Sequence, residues 1–462
     1  METSIRKHIE AIKNGDVKLE EFVSEVLERC EKVQSKYRPF ITINKKPDLK
    51  KSKGKLAGIP ISVKDSICTD GIQTTAGSKI LEGYVPPFDA TCVANARKEG
   101  GIIIGKTALD EFGFGTFSTN CAYGAPKNPH DPERACGGSS GGAGCITAAA
   151  DFPHIAIAQS TGGSITAPAA FTGTVGITPT YGRVSRYGLI DYANSMDKIG
   201  VIGKEVYDAA LLLSVMSGYD PLDSTSSEEK TDDLTSYVGK GIEGMRFGIP
   251  KEYVSDTTDK KVVSGFMKAV QKLEVAGAKV EETSLPLTKY AVSSYYLIAI
   301  SEASTNLAKY CGLRYGMQQE IVGDFETYFS KVRTAGFGKE AKRRILLGTY
   351  ARMAGYRDAY YLKALRVRAK IIKEFKSEFK KFDALIAPSM PILPPKFSEI
   401  DKLTPIQTYN MDILTIASNM AGIPSLSVPV GKADGLPIGL QIMGDHFAEG
   451  KLIQIGSSLE GR

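Results

Sequence analysis

Histidine is scarce in this chain: four residues in 462, at positions 8, 130, 154 and 446. That leaves no histidine-based metal motif and little material for a Ser–His–Asp arrangement. Cysteine offers no scaffold either. The seven cysteines (30, 68, 92, 121, 136, 145 and 311) are odd in number and widely spaced, with no Cys-x-x-Cys and no neighbouring histidine. Reduced, mostly buried thiols are expected, and neither a disulfide framework nor a metal site. No apolar run reaches the ~18 residues of a membrane helix, so no membrane role is expected. Met1 to Glu10 mixes acids with bases, unlike a signal or transit peptide, and the expected location is cytoplasmic.

What is present is ordinary in bulk and uneven in detail. Apolar residues make up 42% and charged residues 24%, globular values that exclude a disordered tail as the bulk of the chain. Net charge is +6, and residues 339–381 more than account for it, with fourteen Lys/Arg against four Asp/Glu. A solvated helical face explains such a run, and a surface for RNA or an acidic partner is the alternative. Leu19, Phe22, Val23, Val26, Leu27, Cys30 and Val33 draw one apolar stripe, which predicts a helix within an N-terminal helical segment of about 1–38.

Short β-branched runs then alternate with helical spacing. Strands are expected at 40–43, 59–63, 102–104, 155–157, 247–249, 384–386 and 440–442, and helices at 206–216, 260–276 and 339–382. This alternation predicts an α/β layered sheet covered by helices on both faces. A polar interval of about 219–236 reads as a surface loop. Candidate site residues fall on both sides of it, so a single domain over 1–462 is expected.

Two motifs mislead. Gly100-Gly101-Ile102-Ile103-Ile104-Gly105-Lys106-Thr107 fits the Walker A pattern, but a phosphate loop must follow a strand and open a helix. Here a helical stretch precedes it, and three isoleucines occupy the would-be loop, so a strand is expected. Gly137-Gly138-Ser139-Ser140-Gly141 fits the nucleophile elbow Gly-x-Ser-x-Gly, which requires a strand immediately before and a later histidine. Residues 128–134 read as loop-forming, and only His154 and His446 follow.

The informative clusters are Cys136-Gly137-Gly138-Ser139-Ser140-Gly141-Gly142 and, 25 residues on, Thr161-Gly162-Gly163-Ser164. Amide cleavage needs a nucleophile, a proton acceptor and donors for the oxyanion. Glycines let consecutive N–H groups converge just before the Ser164 hydroxyl. The Ser139 hydroxyl can both accept and donate, and so can pass a proton to an amine. Lys64, in the apolar run Ile61-Ser62-Val63-Lys64-Asp65, is that amine, because burial drives a lysine toward its neutral form.

On these residues the chain resembles the amidase signature family, over essentially its whole length. The resemblance implies that family's fold, a large mixed β-sheet with helices on both faces. It also implies a Ser–cisSer–Lys triad in which Ser164 forms the acyl-enzyme, Ser139 follows a cis peptide and Lys64 is the base. Thr161, Gly162, Gly163 and Ser164 are then the oxyanion hole. Within the family the likeness is greatest to the glutaminase (A-type) subunits of aspartyl/glutamyl-tRNA amidotransferases. It is carried by Pro179 to Leu189, Tyr295-Tyr296 through Ser304, Phe337 to Arg344, and Tyr409 to Asp412. That resemblance implies glutamine as substrate, with Arg344 on its carboxylate, Asp412 on its ammonium and Tyr295 as a further contact. It also implies partner subunits B and C, tRNA held mainly by the partner, and ATP and magnesium in the partner rather than in this chain.

Departures are Ser160 where an acid is usual, Thr166 where an arginine is usual, Thr178 for a common lysine, and one extra residue around 151–154. A stand-alone amidase of the same family is the rival expectation, and a non-catalytic RNA-binding or scaffold subunit the third.

Overall fold

The computed structural model describes residues 2–49, 53–255 and 258–460. Thirteen strands occur among them: β1 Phe40–Ile43, β2 Pro60–Lys64, β3 Ile102–Thr107, β4 Lys127–Asn128, β5 Asp131–Ala135, β6 Ile155–Ser160 and β7 Val175–Thr178. They continue with β8 Lys198–Gly203, β9 Arg246–Pro250, β10 Lys279–Thr283, β11 Ala384–Pro388, β12 Ser425–Ala433 and β13 Leu436–Met443. Eleven form one sheet in the order β1-β3-β2-β6-β8-β7-β12-β13-β11-β9-β10, and β4 pairs with β5 separately. The sheet is mixed, as expected for this fold. β3, β2 and β6 run parallel, as do β11, β9 and β10, while β8, β7, β12 and β13 form the antiparallel centre.

Isoleucine and valine build that sheet because their branched side chains fill both of its faces. Ile61, Val63, Ile103, Ile155, Ile157, Ile177 and Val201 lie in one core with the helix Val206–Met216, whose residues Ala209 to Leu213 are all buried. A second core on Ala291–Asn306 and Lys363–Glu378 gathers Phe112, Phe114, Tyr192, Tyr295 and Tyr296. Each fully buried Ile or Phe contributes about 1.5–3 kcal/mol. The predicted N-terminal stripe holds: Phe22, Val23, Val26 and Cys30 are the buried residues of the helix Leu19–Tyr37, packed on Phe40 and Ile104.

The structure departs from expectation in three places. The helix expected over 339–382 is two, Lys339–Arg352 and Lys363–Glu378, joined through a short π-turn at Asp358–Leu362. Gly355 lies between them at φ 89°, a conformation that cannot continue a helix. Residues 128–134, expected as loop, contribute to the β4–β5 hairpin. The interval 219–236 is a surface loop, but Asp220 and Asp223 are buried within it. Asp220 accepts from Thr91 and Ser185, and Asp223 pairs with Arg186.

The parallel strands β2 and β6 are neighbours, so their C-terminal ends meet. Lys64 closes one of them, and the other leads straight into Thr161-Gly162-Gly163-Ser164. Ligand sites of α/β sheets form at such strand ends.

Candidate active site

Lys64 and Ser139 are fully buried, whereas Ser164 keeps 7% exposure, which makes it the one of the three that a solute can reach. Lys64 Nζ lies 2.7 Å from Ser139 Oγ and donates to the Gln159 carbonyl (2.9 Å) and to Gln159 Oε1 (3.0 Å). Burial lowers the Lys64 pKa to about 7, against the pull of Asp110 and Asp197, whose charges favour the ammonium. The amine is therefore poised to take a proton near neutrality.

Ser139 follows a cis peptide from Gly138. Its loop is held from below by Asp110 and Ser118. The Asp110 N–H donates to the Ser139 carbonyl (3.3 Å), and the Ser118 hydroxyl donates to the carbonyls of Gly137 (3.0 Å) and Ser139 (3.1 Å). Gly138 is required there: a Cβ would stand 2.3 Å from Asp110 Oδ2. Asp110, itself buried and raised to about 6 by desolvation, accepts from the N–H groups of Ser118 and Asn120.

The Thr161–Ser164 loop has all four of its carbonyls engaged. Thr161 O accepts from Asn419 Nδ2, Gly162 O from Ser160 Oγ (2.9 Å), Gly163 O from Ala167 N (2.8 Å) and Ser164 O from Ser140 N (3.2 Å). Among the described residues the four N–H groups donate to no protein acceptor. Buried N–H groups are seldom left unmade, so a loop with tied carbonyls and free donors is built to receive an anion. Close approach requires glycine at 163 and leaves little room at 162. A Cβ on Gly162 would lie 3.1 Å from Tyr295 Oη, and one on Gly163 would lie 2.3 Å from Thr415 Oγ1.

Arg344 is 2% exposed and sits among the rings of Phe114, Tyr192, Tyr296 and Tyr409, at 5.0–5.5 Å from their centroids. Its Nε donates to Glu340 (2.8 Å) and Nη1 to Tyr192 Oη, while no hydrogen bond of Nη2 occurs among the described residues. Asp412 accepts from Thr116 Oγ1 (3.0 Å) and Tyr296 Oη (3.1 Å), and burial raises its pKa to about 7. Tyr296 thus touches both groups, setting a fixed cation and a carboxylic acid around one ring. A cavity of about 360 Å3 opens beside them, walled by Arg344, Phe114, Thr116, Asn120 and Tyr409; Ser164 is not on its wall.

The histidines are elsewhere. His154 is buried between Ser62 Oγ (3.0 Å) and Thr147 Oγ1 (3.3 Å), and burial drives its pKa down to about 3. His8 contacts the Gly58 carbonyl, His130 that of Thr172, and His446 lies beside Asp445. The Walker-like segment forms β3, with Lys106 Nζ spent on Thr74 Oγ1 (2.7 Å) and the Ile67 carbonyl. No described helix is long and apolar enough to cross a membrane. All seven cysteines are free.

The sequence profile of the family described as Amidase matches residues 3–453. The chain belongs to the amidase family. It is 46% identical over 456 residues to the A subunit of glutamyl-tRNA(Gln) amidotransferase from Halothermothrix orenii, covering 97% of this chain and 94% of that one. It is 47% identical over 407 residues to the protein of the same name from Methanococcoides burtonii, covering 88% and 85%. The crystal structure of the corresponding glutamyl-tRNA(Gln) amidotransferase chain from Thermotoga maritima superimposes with a TM-score of 0.81 at 39% identity, over 95% of this chain and 90% of that one.

For an amidase-family chain, three of the four departures have local explanations. Ser160 braces the Thr161–Ser164 loop by its bond to Gly162, and Thr166 is buried at the start of the helix Thr166–Thr172. With neither an acid at 160 nor an arginine at 166, no buried charge is left unpaired by the change. Asp151, in the stretch that carries the extra residue, pairs with Arg29 ahead of β6. The buried Thr178 hydroxyl has no partner among the described residues, and nothing in the structure explains it.

Sequence reasoning missed Gln159, Asp197 and Asn419. β6 pairs antiparallel with β8, Ser160 opposite Lys198, so Asp197 stands opposite Thr161. Its Oδ1 accepts from Thr161 Oγ1 (2.6 Å) and Gln159 Nε2 (3.1 Å). A signal existed for Gln159: it is the lone amide in the buried run Ile155-Ala156-Ile157-Ala158-Gln159. Asp197 and Asn419 carry no local signal.

Proposed function

We propose that this chain is the glutaminase subunit of a tRNA-dependent amidotransferase. It hydrolyses glutamine through Ser164, Ser139 and Lys64 and supplies ammonia to partner subunits B and C of a cytoplasmic heterotrimer. The partner, holding tRNA, ATP and magnesium, converts Glu-tRNA(Gln) to Gln-tRNA(Gln), with Asp-tRNA(Asn) as the alternative substrate. No cofactor is needed in this chain. The observation that carries the chemistry is the fully buried contact between Lys64 Nζ and Ser139 Oγ, beside a loop whose N–H groups have no acceptor among the described residues. The near full-length likeness to proteins named for glutamyl-tRNA(Gln) amidotransferase carries the biological setting.

In this mechanism Ser164 Oγ attacks the side-chain amide carbon of glutamine. Its proton passes to Ser139 Oγ as the Ser139 proton passes to Lys64 Nζ. The N–H groups of Thr161 to Ser164 hold the oxyanion, each such donor worth about 10²-fold or more in rate. Lys64 returns the proton through Ser139 to the departing nitrogen, and ammonia leaves the γ-glutamyl ester. Water attacks that ester by the same relay, releasing glutamate and restoring Ser164. Arg344 receives the substrate carboxylate and Asp412 its ammonium, with Tyr295 beside the reacting end. The separation of Arg344 from Asp412 by the Tyr296 ring suits a zwitterion.

In the complete complex, Ser164→Ala should abolish glutamine-dependent transamidation and glutamate release yet leave activity fed by ammonium chloride intact. Loss of both activities, with the complex still assembled, would overturn the ammonia-supplying role.

A further inference from the structure

A neutral lysine amine has two N–H donors and one lone pair. Lys64 Nζ makes three close contacts, and two of them, the Gln159 carbonyl (2.9 Å) and Gln159 Oε1 (3.0 Å), can only accept. They take both hydrogens. The lone pair is left for the third contact, Ser139 Oγ at 2.7 Å, whose O–H then donates into it. One residue thus sets the direction in which the base points.

The orientation of the Gln159 amide decides this. Turned over, it would present N–H groups to the amine and draw the lone pair away from Ser139. The far side prevents the turn. Gln159 Nε2 donates to Thr161 Oγ1 (2.7 Å) and to Asp197 Oδ1 (3.1 Å), and Thr161 Oγ1 in turn donates to Asp197 Oδ1 (2.6 Å). Asp197 Oδ2 is held by the N–H groups of Tyr192 (2.8 Å) and Ala193 (2.9 Å). Four donors meet the Asp197 oxygens and favour its ionised form, against the desolvation that raises its pKa to about 7. The carboxylate accepts only, so an amide oxygen cannot face it. Both ends of the amide are satisfied in this orientation, whereas in the other its oxygen would face the Asp197 carboxylate unmatched.

We propose that Gln159 and Asp197 are positioning residues that aim the Lys64 lone pair at Ser139, and that Asp197, through Thr161, fixes the first residue of the oxyanion loop in the same act. This rests on Ser164, Ser139 and Lys64 being the reacting groups. Neither positioning residue is among the groups assigned above to the substrate. The charged groups facing Lys64 are Asp110 and Asp197, and those facing Asp197 include Asp191 and Arg186.

The test uses the full chain, wild type and the variants Gln159→Met and Asp197→Asn. The first readout is the rate at which a small sulfonyl fluoride labels Ser164, followed by mass spectrometry from pH 5.5 to 9. The second is kcat and KM for glutamine with the copurifying partner subunits. Thermal unfolding checks that each variant is folded; if one is not, the other decides.

Both variants should lose about 10–100-fold in labelling rate and in kcat, as expected for a misaimed group, with KM changing less than about threefold. Asp197→Asn should also move the acid limb of the labelling profile to lower pH. The charge that favours the Lys64 ammonium is removed, while Asp110 remains. Labelling within about twofold of wild type in a folded variant would overturn the proposal. So would a loss in Asp197→Asn with the acid limb unmoved, which marks simple structural damage. If wild type is labelled but does not hydrolyse glutamine, the proposed function fails while the positioning role stands.

Discussion

At the scale of single residues, the proposed chemistry turns on one amine. Lys64 as a base must be unprotonated, and its pKa near 7 places the change within the working range. As pH rises through about 7 the fraction of neutral amine grows, so kcat for glutamine should climb with an acid limb there, while kcat/KM also carries the ionisation of Asp412. Lys64→Met should reduce kcat by about 10²–10⁴ at every pH. A profile flat from pH 5.5 to 9 would remove Lys64 from the proton path. Lys64, Ser139 and Ser164 are legible in the sequence, because glycine clusters and a lysine in an apolar run are local features. Gln159 shows only as a lone amide in a buried run and Asp197 not at all: their contact with each other comes from the pairing of β6 with β8, which no local spacing encodes.

At the scale of elements, the oxyanion loop is the sensitive part. Its carbonyls are tied to Ser160, Ala167, Ser140 and Asn419, so the loop has little freedom to absorb a bulge. Gly163→Ala would bring a Cβ to 2.3 Å from Thr415 Oγ1 and 3.0 Å from Thr415 Cβ. We expect kcat to fall by about 10²-fold with KM little changed, the signature of lost transition-state donors. Adding Thr415→Ala removes the nearer contact and should restore part of that loss; no recovery in steady-state kinetics would place the damage elsewhere.

Strands and helices differ in legibility. Buried parallel strands such as β2 and β3 announce themselves by β-branched apolar residues, whereas β10, Lys-Val-Glu-Glu-Thr at the sheet edge, is mostly exposed and reads as polar. The break at Gly355 is hidden by the helical composition on both sides. The basic run around it reads as solvated, yet Arg344 is buried and Arg368 donates to the carbonyls of Met420 and Ser195.

At the scale of the whole molecule, three buried lysines make stability depend on pH. Burial lowers Lys64 and Lys198 to about 7 and Lys106 to about 8, from 10.5. Between those values and about 10.5 the unfolded chain binds protons that the folded chain does not, so stability rises with pH across that window. Asp197, Asp208 and Asp412, raised to about 7, act below it. There the folded chain holds the extra protons, and stability falls as pH climbs from about 4 toward 7. Cys30, Cys92 and Cys121, raised by desolvation from 9.0 to about 12, act in the opposite sense above about pH 9, so Tm should increase between pH 7.5 and 8.5. Lys198→Met, which lies outside the reacting groups, should flatten that slope. Equal slopes for variant and wild type by calorimetry would show that Lys198 does not titrate on unfolding.

Neighbouring residues along the chain already specify the chemistry available and the local shapes that serve it: a serine after two glycines, a second serine in a glycine cluster, and a lysine among isoleucines. Backbone freedom and the desolvation of charge are enough to produce them. Folding alone sets which way the amine points, what holds the loop's carbonyls, and that Arg344 and Asp412 flank one ring. Those are contacts between residues up to 296 positions apart, as in Thr116 with Asp412, and they exist only once eleven strands have taken their order.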